Sequence, residues 1–310
     1  MRARLSRVFA AAFTAAALGA GASFGATLKV GPGERYAQPS EAAAASWTGD
    51  TILIAAGHYD DCAIWKASGL TIAAEGEVVI AGKVCGGKAL FVIGGDNVTV
   101  RGITFAHASA EDGNGAGIRG EGGNLVIEND VFLDNQNGIL TTAAPSATLT
   151  IRDSRFEGNG SCVQGCAHGV YAGRMALVRI ENSVFRRQHS GHHIKSRALR
   201  TELVGNTIED GPEGDASYLV DIPDGGALLM TRNTLQKGKH ASNPDIAIAI
   251  GSESASNPTP EIVLKDNIFT SALPHPVTFL RNLSNVAAQL DGNTFSGLVV
   301  PVDSSPTKPK

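Results

Sequence analysis

The sequence predicts an all-β rod: a single-stranded, right-handed parallel β-helix of about ten coils with a short N-terminal capping helix. Two observations carry that expectation. One is a repeat whose core is constant while its spacers vary. The other is a chain rich in glycine (37 residues) and poor in aromatics (5 %), which suits many tight turns around a narrow core.

The repeat is apolar, any residue, apolar, four mostly polar residues, then Phe, Ile or Leu. It runs Val98 to Phe105, Leu125 to Phe132, Leu149 to Phe156, Val178 to Phe185, Leu228 to Leu235 and Ile262 to Phe269. Weaker copies lie at Leu203 to Ile208 and Leu290 to Phe295. Successive terminal residues are 27, 24, 29, 23, 27, 34 and 26 apart, as stacked coils with loops on one side require. Within a copy the apolar period is two, so alternate residues face opposite sides of a strand.

An Asn, Asp, Ser or Gly cluster separates strand from terminal residue: Asn129-Asp130, Asp153-Ser154, Asn182-Ser183, Asn206, Asn233, Asn267 and Asn293. Such side chains tolerate turn geometry and can hydrogen-bond along a stack. Antiparallel hairpins would need two-residue turns, and a leucine-rich horseshoe a leucine consensus at shorter period; neither is present. Earlier strands are legible at Thr51–Ile54, Leu70–Ile72 and Phe91–Ile93. At ~4.8 Å per strand, the coils make a rod on the order of 45–50 Å long. Residues 39–47, Pro39 to Trp47, read as a helix with Ser40 near its N-cap, covering an open end that would otherwise invite edge pairing. The coil spans 27–300, and the Pro/Ser/Lys-rich tail 301–310 reads as disordered.

The N-terminus reads as a secretory signal peptide, residues 1–26. Arg2, Arg4 and Arg7 precede an apolar run to Leu18, with small residues before Ala22 or Ala26 as cleavage points. The run is short for a bilayer span, which takes roughly 20 apolar residues. The expected product is a secreted or periplasmic monomer without stable membrane insertion. Four cysteines in an oxidising compartment favour disulfides, paired by proximity as Cys62–Cys85 and Cys162–Cys166. The competing zinc reading lacks C-x-x-C spacing. A net charge of -4 and no long basic run exclude a nucleic-acid footprint.

Val30-Gly-Pro-Gly33, the alanine helix, Gly49-Asp-Thr-Ile-Leu-Ile-Ala-Ala-Gly57-His-Tyr59 and the repeated Asn-x-Phe coils resemble bacterial right-handed β-helix proteins of the pectate-lyase-like superfamily. The resemblance covers nearly all of the mature chain. It implies the fold and a polysaccharide partner more than one activity, since one fold hosts many functions. The Asn-Thr-Asp and Gly-His-Gly motifs of the polygalacturonase-type hydrolases are missing, and Asp60-Asp61 lies only in an early coil. No cofactor is required. Calcium would need a carboxylate cluster on the coil face, whereas the dense acidic run Glu209-Asp210, Glu213 and Asp215 reads as a solvated loop.

Each coil holds a second apolar anchor: Ile118, Ile139, Val170, Ile194, Val220, Ile248 and Val277. Aligning Val170, Ile194 and Val220 makes Tyr171, Lys195 and Asp221 neighbours on the outer face. Alternation puts His193, Lys195 and Arg197 on that face and His192, Ile194 and Ser196 on the other. His168 lies one coil earlier. The plain reading is a cross-strand ion pair of Lys195 with Asp221 and interior histidines at 168 or 192. The functional reading is β-elimination on an anionic, uronate-containing glycan. There Lys195 is the first choice of base, Arg197 clamps the carboxylate, and Arg197 and His193 favour a neutral lysine while Asp221 opposes it. If Asp221 pairs tightly with Lys195, the base becomes Tyr171 or His193. The resemblance adds that similar β-helix lyases use Lys or Arg as base. The rival readings are a glycoside hydrolase using Asp221, Asp224 and Asp245, and a non-catalytic glycan-binding protein.

Overall fold

The computed structural model describes residues 25–305; the expected signal peptide up to residue 24 lies outside the described residues. Over the described residues the chain is a right-handed parallel β-helix with one short helix. Strands carrying the repeat form an 18-stranded sheet, and those after the loops form a separate ten-stranded sheet. Apart from a small antiparallel hairpin, Ser161–Cys162 against Cys166–Ala167, the strand pairs are parallel.

All eight copies of the repeat stack in register. Phe105, Phe132, Phe156, Phe185, Ile208, Leu235, Phe269 and Phe295 pair one coil to the next. The interior is an aromatic column, with Phe132, Phe156 and Phe185 parallel at 4.6 and 4.5 Å between centroids. Such offset contacts add about 0.5–1.5 kcal/mol each beyond burial of the rings.

The bend before each terminal residue explains the polar cluster. Asn129, Asp153, Asn182, Arg232 and Asp266 take left-handed φ between 49° and 56°, and Gly205 and Gly292 do the same at 68° and 63°. Asn and Asp adopt this conformation at little cost because their side chains bond locally. The next residue in each coil forms a ladder along the axis. Ser183 N–H donates to Asn206 Oδ1 (2.9 Å), Asn206 N–H to Asn233 Oδ1 (2.9 Å) and Asn233 N–H to Asn267 Oδ1 (3.0 Å). Each Asn also donates to a carbonyl, as Asn233 Nδ2 does to Leu203 O (2.8 Å). Backbone that the corner removes from the sheet is thereby satisfied inside the rod.

The ends depart from expectation in detail. The helix spans Pro39–Ala45, two residues shorter than predicted, and its N-cap is Gln38 rather than Ser40. Pro39 has the fixed φ that suits a first helical position, and Ser40 N–H instead donates to Asp61 Oδ2 (2.8 Å). Ala42 and Ala43 are buried over the first coil. At the other end, the strand Val299–Asp303 pairs with Val277–Asn282, so part of the expected disordered tail is ordered. Pro301 is tolerated because that strand is the sheet edge. Cys62–Cys85 and Cys162–Cys166 are bonded as expected.

Replacing Asn233 with Leu removes the acceptor of the Asn206 N–H and the side-chain donor to Leu203 O, while Asn267 Oδ1 keeps the backbone N–H of residue 233. We expect a loss of about 2–4 kcal/mol, read as a lower thermal midpoint in circular dichroism, whereas Asn233→Asp should lose less.

Candidate functional site

The outer face of the ten-stranded sheet carries the candidate residues. Ile118, Ile139, Val170, Ile194, Val220 and Ile248 pair in succession as interior anchors. Leu280, not Val277, continues the row, because the loop before it is three residues longer than assumed. The residue after each anchor points outward, so Arg119, Leu140, Tyr171, Lys195 and Asp221 stand side by side.

Strict alternation fails on the other side of the anchor. The order there is out, in, in, out. A Cβ at Gly117 would meet Phe132 Cδ1 at 2.8 Å, and one at Gly138 would meet Phe156 Cδ1 at 2.8 Å, so this position faces the aromatic column. His193 occupies the same position in a later coil, beyond the last phenylalanine of the first stack. It is therefore buried (1 % exposed), not on the groove as expected, and bonds Asp210 Oδ1 through Nε2 at 3.0 Å. Asp210, expected in a solvated loop, is fully buried and also accepts from Gly238 N–H (2.8 Å). Lys237 lies behind it, capping the Ala216 carbonyl (3.0 Å); burial lowers its ammonium to about 8, against the pull of Asp210.

His192, expected inward, lies on the groove instead. His168, His192 and Tyr218 stack at 4.8 and 4.9 Å between ring centroids. Each histidine Nδ1 accepts a backbone N–H from the next coil: His192 N–H to His168 (3.0 Å) and Tyr218 N–H to His192 (3.1 Å). Asn137 heads the ladder by accepting His168 N–H (2.8 Å). An accepting Nδ1 fixes the neutral tautomer with hydrogen on Nε2. Burial, and then neighbouring charges led by Lys195, hold His192 down to about 3; burial holds His168 well below its ordinary value as well. These rings are neutral donors, not proton acceptors.

Lys195 is paired with two carboxylates. Its ammonium lies 3.3 Å from Asp221 Oδ2 and 2.5 Å from Glu253 Oε1. Asp221 is 1 % exposed, with its pKa raised by burial against the opposing pull of Lys195 and Ser252. Arg197 is engaged as well. Nε donates to the Tyr171 hydroxyl (2.9 Å), Nη1 to Asp224 Oδ1 (2.7 Å) and Nη2 to Glu253 Oε2. Burial disfavours its charge, but the bonds to Glu253, Tyr171 and Asp224 outweigh that and hold the guanidinium above its ordinary value. Glu253 was not legible in the sequence: it comes from a loop 58 residues after Lys195 and matches no repeat position.

Two clefts adjoin these residues and share Cys166, His168 and Lys195. One, about 380 Å³, is also lined by Asn114, Arg119, Asn137, Leu140, Tyr171 and Arg197. The other, about 420 Å³, adds Cys162, Ser190, Gly191, His192, Ser217 and Ser242. Neither lining contains a carboxylate. Among the described residues, five buried side-chain polar atoms have no partner, and two of them, Arg119 Nε and Asn137 Nδ2, belong to the first cleft. Glu121 Oε1 sits 3.6 Å from that Arg119 nitrogen, beyond hydrogen-bond reach, and is taken by Lys88 at 2.7 Å. A larger hollow near the N-terminal end, about 650 Å³ and lined by Arg35, Tyr36, Trp47 and Asp50 among others, shares no residue with this cluster. Among the described residues no group of three or more His, Cys, Asp or Glu side chains could hold a metal ion, and no helix is long and apolar enough to cross a membrane.

A family model described as a right handed beta helix region matches residues 56–165. No curated protein matches the chain. The solved structure of Escherichia coli YbhC is similar in fold, with a TM-score of 0.51 and 13 % identity over 92 % of this chain and 88 % of that one. A pectin methylesterase from Aspergillus niger aligns at a TM-score of 0.43 and 11 % identity over 90 % of this chain and 91 % of that one. At these identities the likeness concerns the fold alone.

The ladder predicts acid sensitivity. Between about 3 and 6.5 the unfolded chain binds a proton at residue 192 that the folded chain refuses, so stability falls as pH drops through this window. His192→Asn keeps an acceptor of the kind Asn137 provides and removes the titration. Its thermal midpoint should fall less steeply from pH 6.5 to pH 4 than that of the unaltered protein; equal slopes would refute the assignment.

Proposed function

We propose that the protein is exported and binds an acidic polysaccharide along the outer face of the ten-stranded sheet, cleaving it by β-elimination. The observation that supports this most is the lining of the first cleft. It joins Arg119, Lys195 and Arg197 to the unpartnered buried donors Arg119 Nε and Asn137 Nδ2, while Asp221, Asp224 and Glu253 already hold Lys195 and Arg197 from beside it. Unpaired buried donors carry a desolvation penalty that an anionic acceptor removes. The two disulfides fit an oxidising compartment.

In this reading a uronate carboxylate lies against Arg119 and Asn137. Neutralising its charge makes the proton on the adjacent carbon more acidic. Tyr171 takes that proton as its phenolate, whose oxygen the Arg197 Nε–H stabilises, and later passes it to the leaving oxygen, regenerating the phenolate. The C–H electron pair becomes the new double bond, the glycosidic C–O bond breaks, and the departing oxygen takes up the proton. His168 serves as a neutral donor at the cleft wall, not as base. Lys195 and Asp221 hold charge and position, and the buried His193 supports the coil from within.

A hydrolase would need a pair of carboxylates facing the scissile bond. The side chains of Asp221 and Asp224 are only 2 % and 6 % exposed, and both are already bonded to cations. Asp245 is exposed but lines neither cleft.

The test is a panel of uronate-containing polysaccharides incubated with purified mature protein. Elimination yields a product with a new ultraviolet absorbance; reducing ends without that absorbance would mean hydrolysis. Tyr171→Phe should lower the elimination rate by about 10²–10⁴-fold with an unchanged circular dichroism spectrum. Arg119→Ala should weaken kcat/KM for acidic substrate while leaving the fold intact. A Tyr171→Phe protein as fast as the unaltered one would remove Tyr171 as base.

A further inference from the structure

The segment Gly251–Ser254 closes over the outer face with three successive side chains on four charged partners. Ser252 Oγ donates to Asp221 Oδ1 (2.8 Å), and Ser254 Oγ donates to Asp224 Oδ1 (2.9 Å). Between them Glu253 places one oxygen on Lys195 and the other on Arg197. The loop is pinned by Glu253 N–H and Ser254 N–H, which donate to Pro223 O at 3.0 and 2.9 Å.

The charges do not need Glu253. Lys195 is matched by Asp221 and Arg197 by Asp224, so the four groups are neutral together. Glu253 is the surplus anion, and its side chain is 47 % exposed while the other carboxylates are nearly buried. It also spans both cations as an external carboxylate would. We propose that Glu253 is an internal stand-in, and that Lys195 and Arg197 form a second carboxylate subsite which an acidic glycan occupies by displacing it.

This rests on the acidic-glycan reading above and extends it to a substrate class. Tyr171 and Lys195 are neighbours across one strand pair, and both line the cleft that holds Arg119 and Asn137. A second carboxylate beside the first fits a polymer charged on more than one sugar. A ligand held at two points can displace a tethered side chain that a single charged sugar cannot, because its second contact is intramolecular. Leaving Glu253 in place would set two carboxylates together over an otherwise neutral group, which repulsion disfavours.

Two readouts test the subsite. Calorimetry with defined oligomers of galacturonate, glucuronate and mannuronate should show Glu253→Ala binding at least about tenfold more tightly than the unaltered protein, with the gain lost in Glu253→Ala/Arg197→Ala. Separately, sodium acetate should raise the thermal midpoint of Glu253→Ala more than sodium chloride at equal ionic strength, by refilling the vacated position. Acetate rescue without binding of any uronate oligomer would uphold the subsite and sink the glycan reading. Equal or weaker oligomer binding by Glu253→Ala, with no acetate effect, would overturn the subsite and leave that reading standing. Glu253→Gln, which keeps the shape and removes the charge, should behave as Glu253→Ala does for the oligomers.

Discussion

Parallel stacking of one coil on the next is the constraint from which the rest of this molecule follows. Each coil pairs with its neighbour at the strand spacing of a β-sheet, so one residue choice at a given position recurs as a column along the rod. The phenylalanine column and the Asn/Ser/Asp ladder are two such columns, one apolar and one polar. Both reward the same register. A slip of one residue would turn phenylalanine rings outward and leave the ladder amides unpaired inside.

The groove inherits that register. Tyr171, Lys195 and Asp221 meet because three interior anchors align, not because their own side chains attract one another. The His168–His192–Tyr218 stack is a third column, in which ring nitrogens replace carboxamide oxygens as acceptors for the next coil's backbone. That duty keeps the histidines neutral and explains why a histidine-rich segment supplies little positive charge here. The cationic character of the cleft comes from Arg119, Lys195 and Arg197 instead.

Charge on this face is nearly balanced within the protein. Lys195 and Arg197 are held by Asp221, Asp224 and Glu253, which orders them. Arg119 and Asn137, three and two coils before Lys195, keep unsatisfied donors. The face therefore divides into a locked part and an open part. That division is why the proposed chemistry moves from Lys195 to Tyr171, the residue that borders both.

By itself the sequence determined the scaffold. The repeat with its left-handed Asn/Asp corners, the anchor alignment and both disulfides follow from local rules that act within one coil or between adjacent coils. Tertiary structure decided which way side chains point where period-two alternation breaks. The glycines at 117, 138 and 169 occupy the inward position that His193 takes up later, a signal present in the chain but visible only once the coils are aligned. It also decided the partners of Lys195 and Arg197. Glu253 reaches them from a loop of no repeat pattern more than fifty residues away. Periodicity constrains only what recurs, and a contact made once by a loop leaves no trace in it.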